Sequence, residues 1–301
     1  MRFFANYALR GRYQALIAIC GFAIIASQLL PPVSLISSAL FALVVLRKGG
    51  MEGGWVLLPA VLSLGLVGSL LMGNAAQGMG YGLLLWLPIL PVAVVLRESR
   101  SLAWALEVSL GLGLAVVAGV YALVDDPAAW WRERIQGFVQ AMSENAPEGF
   151  DPATFAKAMD AFSHYMTGTV VGGSVLSLIL GLSIARWLQS ILFNPGGFGR
   201  EFAALRFHPP VVYLGLVSIL VGLVLADGMI AEFTWNMNGL FLILFTLGGF
   251  SIIHAVLGGK GLWVFAIYLA LLFIPKWLIP PIALLGISDL WVDWRNYAKR
   301  S

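Results

Sequence analysis

The chain has 301 residues, of which 60% are hydrophobic and only 11% charged, with a formal net charge of +3. A soluble protein carries about a quarter charged residues, so a water-soluble enzyme is excluded at the outset. Its single cysteine, Cys20, excludes disulfide frameworks and cysteine-based metal clusters within one chain.

The apolar residues gather into blocks of the size that a hydrocarbon layer about 30 Å thick demands of helices rising about 1.5 Å per residue. Three N-terminal arginines precede a block over 15–30, and after Pro31-Pro32 a second block over 33–46 ends at Arg47-Lys48. With no small-x-small cleavage site, the pair reads as an uncleaved hairpin rather than a signal peptide. Further blocks cover 53–72, 79–96, 102–124, 166–193, 211–226, 238–257 and 262–290, the last broken near Pro275 and Pro280-Pro281. The expected fold is an all-α, polytopic transmembrane helical bundle over 1–301. It has ten membrane segments if the proline-broken blocks are full hairpins and eight if they re-enter. Small pairs at helical spacing, Gly65 with Ser69 and Ser38 with Ala42, imply close helix packing.

Alternating the connections between two sides puts 14 of the 18 cations on one of them, Lys260, Lys299 and Arg300 included, and leaves Arg132, Arg134, Lys157 and Lys276 on the other. The positive-inside rule then places both termini in the cytoplasm of a bacterial inner membrane. The long polar connection 125–165 falls outside as an extracytoplasmic insertion. Asp126-Pro127 and Asp151-Pro152 each supply a capping acid and a first-turn proline, so two helices should start there. Trp131, Ile135, Phe138, Val139 and Met142 share one face of the first, and Phe155, Met159, Phe162 and Met166 one face of the second. The opposite faces carry Arg132, Glu133, Lys157 and Asp160, so each helix should lie on the outer surface, as a lid over a cavity or as an interfacial packing element.

Charges inside apolar blocks need a reason, since each costs about 2.5 to 3.5 kcal/mol on insertion scales. Glu107 and Arg186 are the main cases. They pair with each other, or Arg186 snorkels to the inner headgroups while Glu107 faces a wet vestibule. The inner stretch that follows, with Gln189, Asn194-Pro195-Gly196-Gly197-Phe198-Gly199-Arg200-Glu201 and Arg206, must stop the helix. Asn194 precedes a proline, and the glycines permit turns closed to other residues. A structured turn is the simpler reading; an anion site at the following helix is the sharper one. Near the C-terminus, Asp289 and Asp293 lie four apart and would share a helical face toward Arg186, Arg200 or Arg206, as an electrostatic clamp or, more sharply, as two ligands for a divalent metal. Trp291 and Trp294 suit headgroup depth. His164, His208 and His254 fall in three different compartments, so no shared zinc site is expected, and Gly181-Leu182-Ser183-Ile184-Ala185 lies inside a membrane block, where a nucleophile elbow does not form. No catalytic residue, metal or cofactor is assigned.

Arg186-Trp187-Leu188-Gln189, Asn194 to Phe198, Glu201-Phe202, Leu205-Arg206 and the ending Asp289 to Arg295 resemble the bacterial YybS-like family of polytopic inner-membrane proteins of unknown function. The resemblance implies remote kinship with the substrate-binding S components of energy-coupling-factor vitamin transporters and with the rod-shape protein MreD. Those S components dock a coupling subunit through Ala-x-x-x-Ala on the first helix; here Ala15, Ala18, Ala23 and Ala26 are spaced three, five and three apart. The expected function is a non-enzymatic small-molecule binding or transport component, with a membrane scaffold for envelope or division machinery as the alternative. Partners are the lipid bilayer, membrane proteins or a small-molecule substrate; nucleic acid is not among them.

Overall fold

The computed structural model describes residues 1–144, 149–225, 227–258 and 261–300; Lys260, counted above with the inner side, lies outside the described residues. Among those residues the chain is all-helical. In order come α1 (Arg2–Arg10), α2 (Arg12–Gln28), α3 (Ser34–Lys48), α4 (Gly50–Met72), α5 (Ala75–Trp86), α6 (Ile89–Ser99), α7 (Leu102–Leu123) and α8 (Pro127–Glu144), then α9 (Pro152–Ser163), α10 (Met166–Phe193), α11 (Gly197–Ala203), α12 (Pro209–Val224), α13 (Met229–Val256), α14 (Gly261–Phe273), α15 (Pro275–Ser288) and α16 (Trp294–Arg300). Among the described residues, six segments are long and apolar enough to cross a membrane: Pro31–Lys48, Gly50–Leu71, Ala75–Ser99, Leu102–Leu123, Met166–Phe193 and Met229–Val256. Lengths and composition together fit an integral membrane protein.

Several elements depart from the expected blocks. Helix α13 begins at Met229 rather than at residue 238, because Glu232 and Asn236, which lower its hydropathy, are satisfied by hydrogen bonds inside the bundle. The block 262–290 divides before Pro275, while Pro280 and Pro281 stay inside α15. Helices α14 and α15 have 13 and 14 residues, about 20 Å each at a rise of about 1.5 Å, well short of the hydrocarbon thickness. They form a hairpin against the C-terminal half of α13. Tyr268 stacks on Phe250 with ring centroids 5.0 Å apart, and a Cβ on Gly286 would stand 2.0 Å from the Phe245 carbonyl oxygen.

Helix α10 is the spine. Leu178, Leu182, Ala185 and Leu188 pack into a core with α1 to α6, and Val175 and Ile179 into a second core with α7, α12, α13 and α15. Helix α3 is buried over ten consecutive residues, Ser37 to Leu46, as befits a helix apolar all round. Its serines are used: Trp86 Nε1 donates to Ser37 Oγ at 3.1 Å, and Ser37 donates on to the Ile19 carbonyl at 2.8 Å. Of the expected small pairs, Ser38 meets Gly181 on α10 and Gly65 lies under Met79.

The bundle has two chemically distinct ends. One joins the N-termini of α2, α4, α7 and α12 to the C-termini of α3, α6 and α10, through Arg12 with Glu52, Arg97 with the Leu46 carbonyl, and Arg47 over the Phe193 ring. This is the basic end. The other, the insertion end, carries α8 and α9.

Candidate functional site

At the basic end, Ser101 caps α7 by accepting from the Trp104 N–H, which sets Glu107 in the second turn. Its side chain is 5% exposed. It accepts from the His208 backbone N–H at 2.7 Å and lies 2.8 Å from His208 Nδ1, whose ring packs on Trp104. Glu107 therefore pairs neither with Arg186 nor with open water: His208, held at the start of α12 by Pro209 and Pro210, fills that position. Arg186 finds a nearer carboxylate. Its Nε donates to Glu201 Oε2 at 2.7 Å and its Nη1 to Gln189 Oε1 at 2.5 Å. The turn after α10 makes this contact, folding α11 back beside the helix it follows.

The helix stop falls where the sequence places it, at Phe193, with Asn194 extended. The left-handed residue is Gly196 at φ +79°, which lets α11 start at Gly197. Ser190 Oγ donates to the Asn194 carbonyl and accepts from the Phe198 N–H, pinning the turn. Arg200 reaches only Asn194 Oδ1, at 3.5 Å, and stands at the edge. Arg186 is already paired with Glu201 and does not face the turn as a free cation. One oxygen of Glu201, Oε1, is buried without a partner among the described residues.

Asp289 and Asp293 are clamped, though not by Arg186 or Arg200. Helix α15 ends at Ser288, so the two acids sit in the turn before α16 rather than on one helical face. Arg206 binds Asp293 and stands 3.8 Å from Asp289. Arg295, which spacing alone did not single out, takes both oxygens of Asp289 at 2.7 Å and also donates to the Ala203 and Leu205 carbonyls and to Ser251 Oγ. Both carboxylates are engaged by guanidinium groups, which argues against the metal reading. Burial works to raise Asp293, but the Asn296 backbone N–H and Arg206 together hold its carboxyl below the usual carboxylate range. Trp294 Nε1 donates to Ser288 Oγ, while Trp291 is exposed beside Tyr213.

The insertion starts as its caps dictate: Asp126 Oδ1 accepts from the Ala129 N–H at 2.9 Å, and Asp151 Oδ1 from the Ala153 N–H at 3.0 Å. Its helices pack together as a hairpin, with Phe138 facing Phe155 and Arg132 bonded to Asp160 at 2.5 Å, a pair that stays about half exposed. Trp131 ties the hairpin to Thr167 of α10 at 2.8 Å.

Beside its roots lies a cavity of about 520 Å³, lined by Asp125, Asp126, His164, Tyr165, Asp227, Glu232 and Trp235 among others. Glu232 is the organising group. It accepts from Tyr121 Oη at 2.7 Å and lies 2.6 Å from His164 Nδ1. Asn236, one turn further along α13 and 1% exposed, donates to Tyr121 Oη, the His164 carbonyl and the Glu232 carbonyl, and accepts from the Gly168 N–H. Three helices, α7, α10 and α13, and the junction between α9 and α10 are thus locked around a carboxylate that borders the cavity. Sequence reading missed this cluster because its members come from three distant segments. The one local signal was the Glu232 and Asn236 spacing, four residues apart at the head of an apolar block.

The arrangement defines a helical membrane protein tied together by ionic contacts at one end and open to a charged cavity at the other. No known family, no characterised protein and no solved structure matches the chain.

Proposed function

We propose that the protein is a non-enzymatic small-molecule binding or transport component of a bacterial inner membrane, with the insertion end facing outward. The observation that carries this reading is the cavity of about 520 Å³ at the roots of the insertion, bordered by the Glu232 carboxylate, which Tyr121 Oη and His164 Nδ1 hold in place. Cavities of several hundred Å³ with convergent polar groups are the usual form of ligand sites. The cavity is lined by carboxylates, so its ligand should be polar at least in part. The basic end supports the same reading, because its ion pairs close the side opposite the cavity. Of the residues behind the YybS-like resemblance, Arg186, Glu201, Arg206, Asp289, Asp293 and Arg295 belong to those ion pairs.

In the proposed topology, α2, α3, α4, the α5–α6 pair, α7, α10, α12 and α13 each cross once, and α14–α15 re-enters from the cytoplasmic side, which takes Lys276 at its turn off the outer side that alternation assigned to it. Eight crossings leave both termini in the cytoplasm. Mass spectrometry of the gently purified protein tests the function: a retained small molecule lost on Glu232→Ala supports it. The scaffold alternative is favoured by exposed Phe138, Met142 and Phe162 on the insertion, and a stoichiometric envelope protein retained without any small molecule would establish it.

A further inference from the structure

An apolar groove of about 450 Å³ lies between α12, α13 and α15, lined among others by Ile219, Leu242, Phe245, Pro280, Leu284 and Ile287. It lies beside the close approach of α15 to α13, where Gly286 meets Phe245 and Gly249 meets Ile282. Asn238, its one amide, is already engaged by Ser218 Oγ at 2.7 Å. The groove is not isolated from the charged cavity. Trp235 lines both, and Gly228, Ala231, Trp235, Asn238, Gly239, Leu242 and Phe245 form one continuous stripe of α13 running from cavity to groove. From Trp235 to Phe245 the stripe is roughly 15 Å long at a rise of about 1.5 Å per residue.

The two surfaces differ sharply in charge. The cavity lining holds four carboxylates, Asp125, Asp126, Asp227 and Glu232, and neither lysine nor arginine. It also presents the aromatic rings of Tyr165 and Trp235, whose faces attract cations. A phosphate or sulfate head would be repelled there, while an ammonium head would be attracted by the carboxylates and could sit against the rings. We propose that groove and cavity together bind one amphiphile, with a primary or quaternary ammonium head in the cavity and a single apolar chain in the groove. The inference rests on the cavity being the ligand site of the function proposed above, and it names the substrate class.

The experiment uses the full chain in lipid nanodiscs and a photoreactive alkylammonium probe with its diazirine in the chain, compared with the alkyl sulfate of equal length. Sites of labelling are mapped by mass spectrometry. The expected result is saturable labelling of α13 and α15 around Leu242 and Leu284 by the ammonium probe alone, displaced by dodecyltrimethylammonium. Asp125→Asn with Asp227→Asn, both at exposed positions, should raise its half-saturation at least tenfold. Leu284→Trp, at a side chain 65% exposed, should weaken the long-chain probe at least fivefold and leave tetramethylammonium binding unchanged. Equal labelling by the sulfate overturns the charge assignment, and an unaltered long-chain affinity in Leu284→Trp overturns the groove. If neither probe labels but a different small molecule is retained and lost on Glu232→Ala, this inference fails and the proposed function stands. If nothing is retained either, both fail.

Discussion

Arg295 donates to both carboxylate oxygens of Asp289 at 2.7 Å, and the two side chains are 11% and 9% exposed. The remaining nitrogens of the same guanidinium close on the carbonyls of Ala203 and Leu205. One side chain thus fastens the C-terminal turn to the segment after α11, using the forked geometry that only arginine offers. Its hydrogen bonds join three separate stretches of chain at the basic end, the C-terminal turn, the segment after α11 and Ser251 on α13.

Removing either partner alone should be costly. Arg295→Leu and Asp289→Leu should each destabilise the protein by about 3 kcal/mol, because each strands a buried charge, and the double variant should lose less than their sum. A double-mutant cycle on unfolding in detergent checks this. Coupling below about 0.5 kcal/mol would remove the clamp.

Arg186 should couple to Glu201 and not to Glu107. The first pair is in contact at 2.7 Å, whereas Glu107 is taken by His208. In parallel cycles, Arg186→Leu with Glu201→Leu should show coupling of about 1 kcal/mol or more, and with Glu107→Leu less than about 0.5 kcal/mol.

Gly286→Ala should be among the most damaging single-methyl additions. Its new Cβ would lie 2.0 Å from the Phe245 carbonyl oxygen and 2.7 Å from the Gly249 nitrogen, both backbone atoms that cannot rotate away. A loss of about 2 to 3 kcal/mol is expected as α15 is pushed off α13. Gly239→Ala on α13 meets nothing within 4 Å and should leave the thermal midpoint unchanged.

Topology can be read by labelling intact cells with an impermeant thiol reagent, in a background of Cys20→Ala. A cysteine at exposed Gln136 on α8 should react from outside, and one at exposed Ser99 at the end of α6 only after lysis. Reaction at Ser99 in intact cells, with protection at Gln136, would invert the proposed orientation and with it the outward cavity.

The sequence alone determined what depends on local chemistry. Blocks of apolar residues determined an all-helical, membrane-type chain, and Asp126-Pro127 and Asp151-Pro152 marked helix starts that the backbone adopts, because a cap needs only its own next turn. The stop after Phe193 was legible for the same reason, as proline and glycine act on the residues beside them. Partner choice was not legible. Glu107, Arg186, Asp289 and Asp293 were recognisable as charges in need of compensation, yet which cation met which acid depended on how α11 turns back and where α15 ends. The cluster of Tyr121, His164, Glu232 and Asn236 joins residues up to 115 positions apart, and no periodicity reports a contact of that separation. Only tertiary packing decided it, since a buried polar atom binds whichever donor or acceptor the helix crossings bring within about 3 Å.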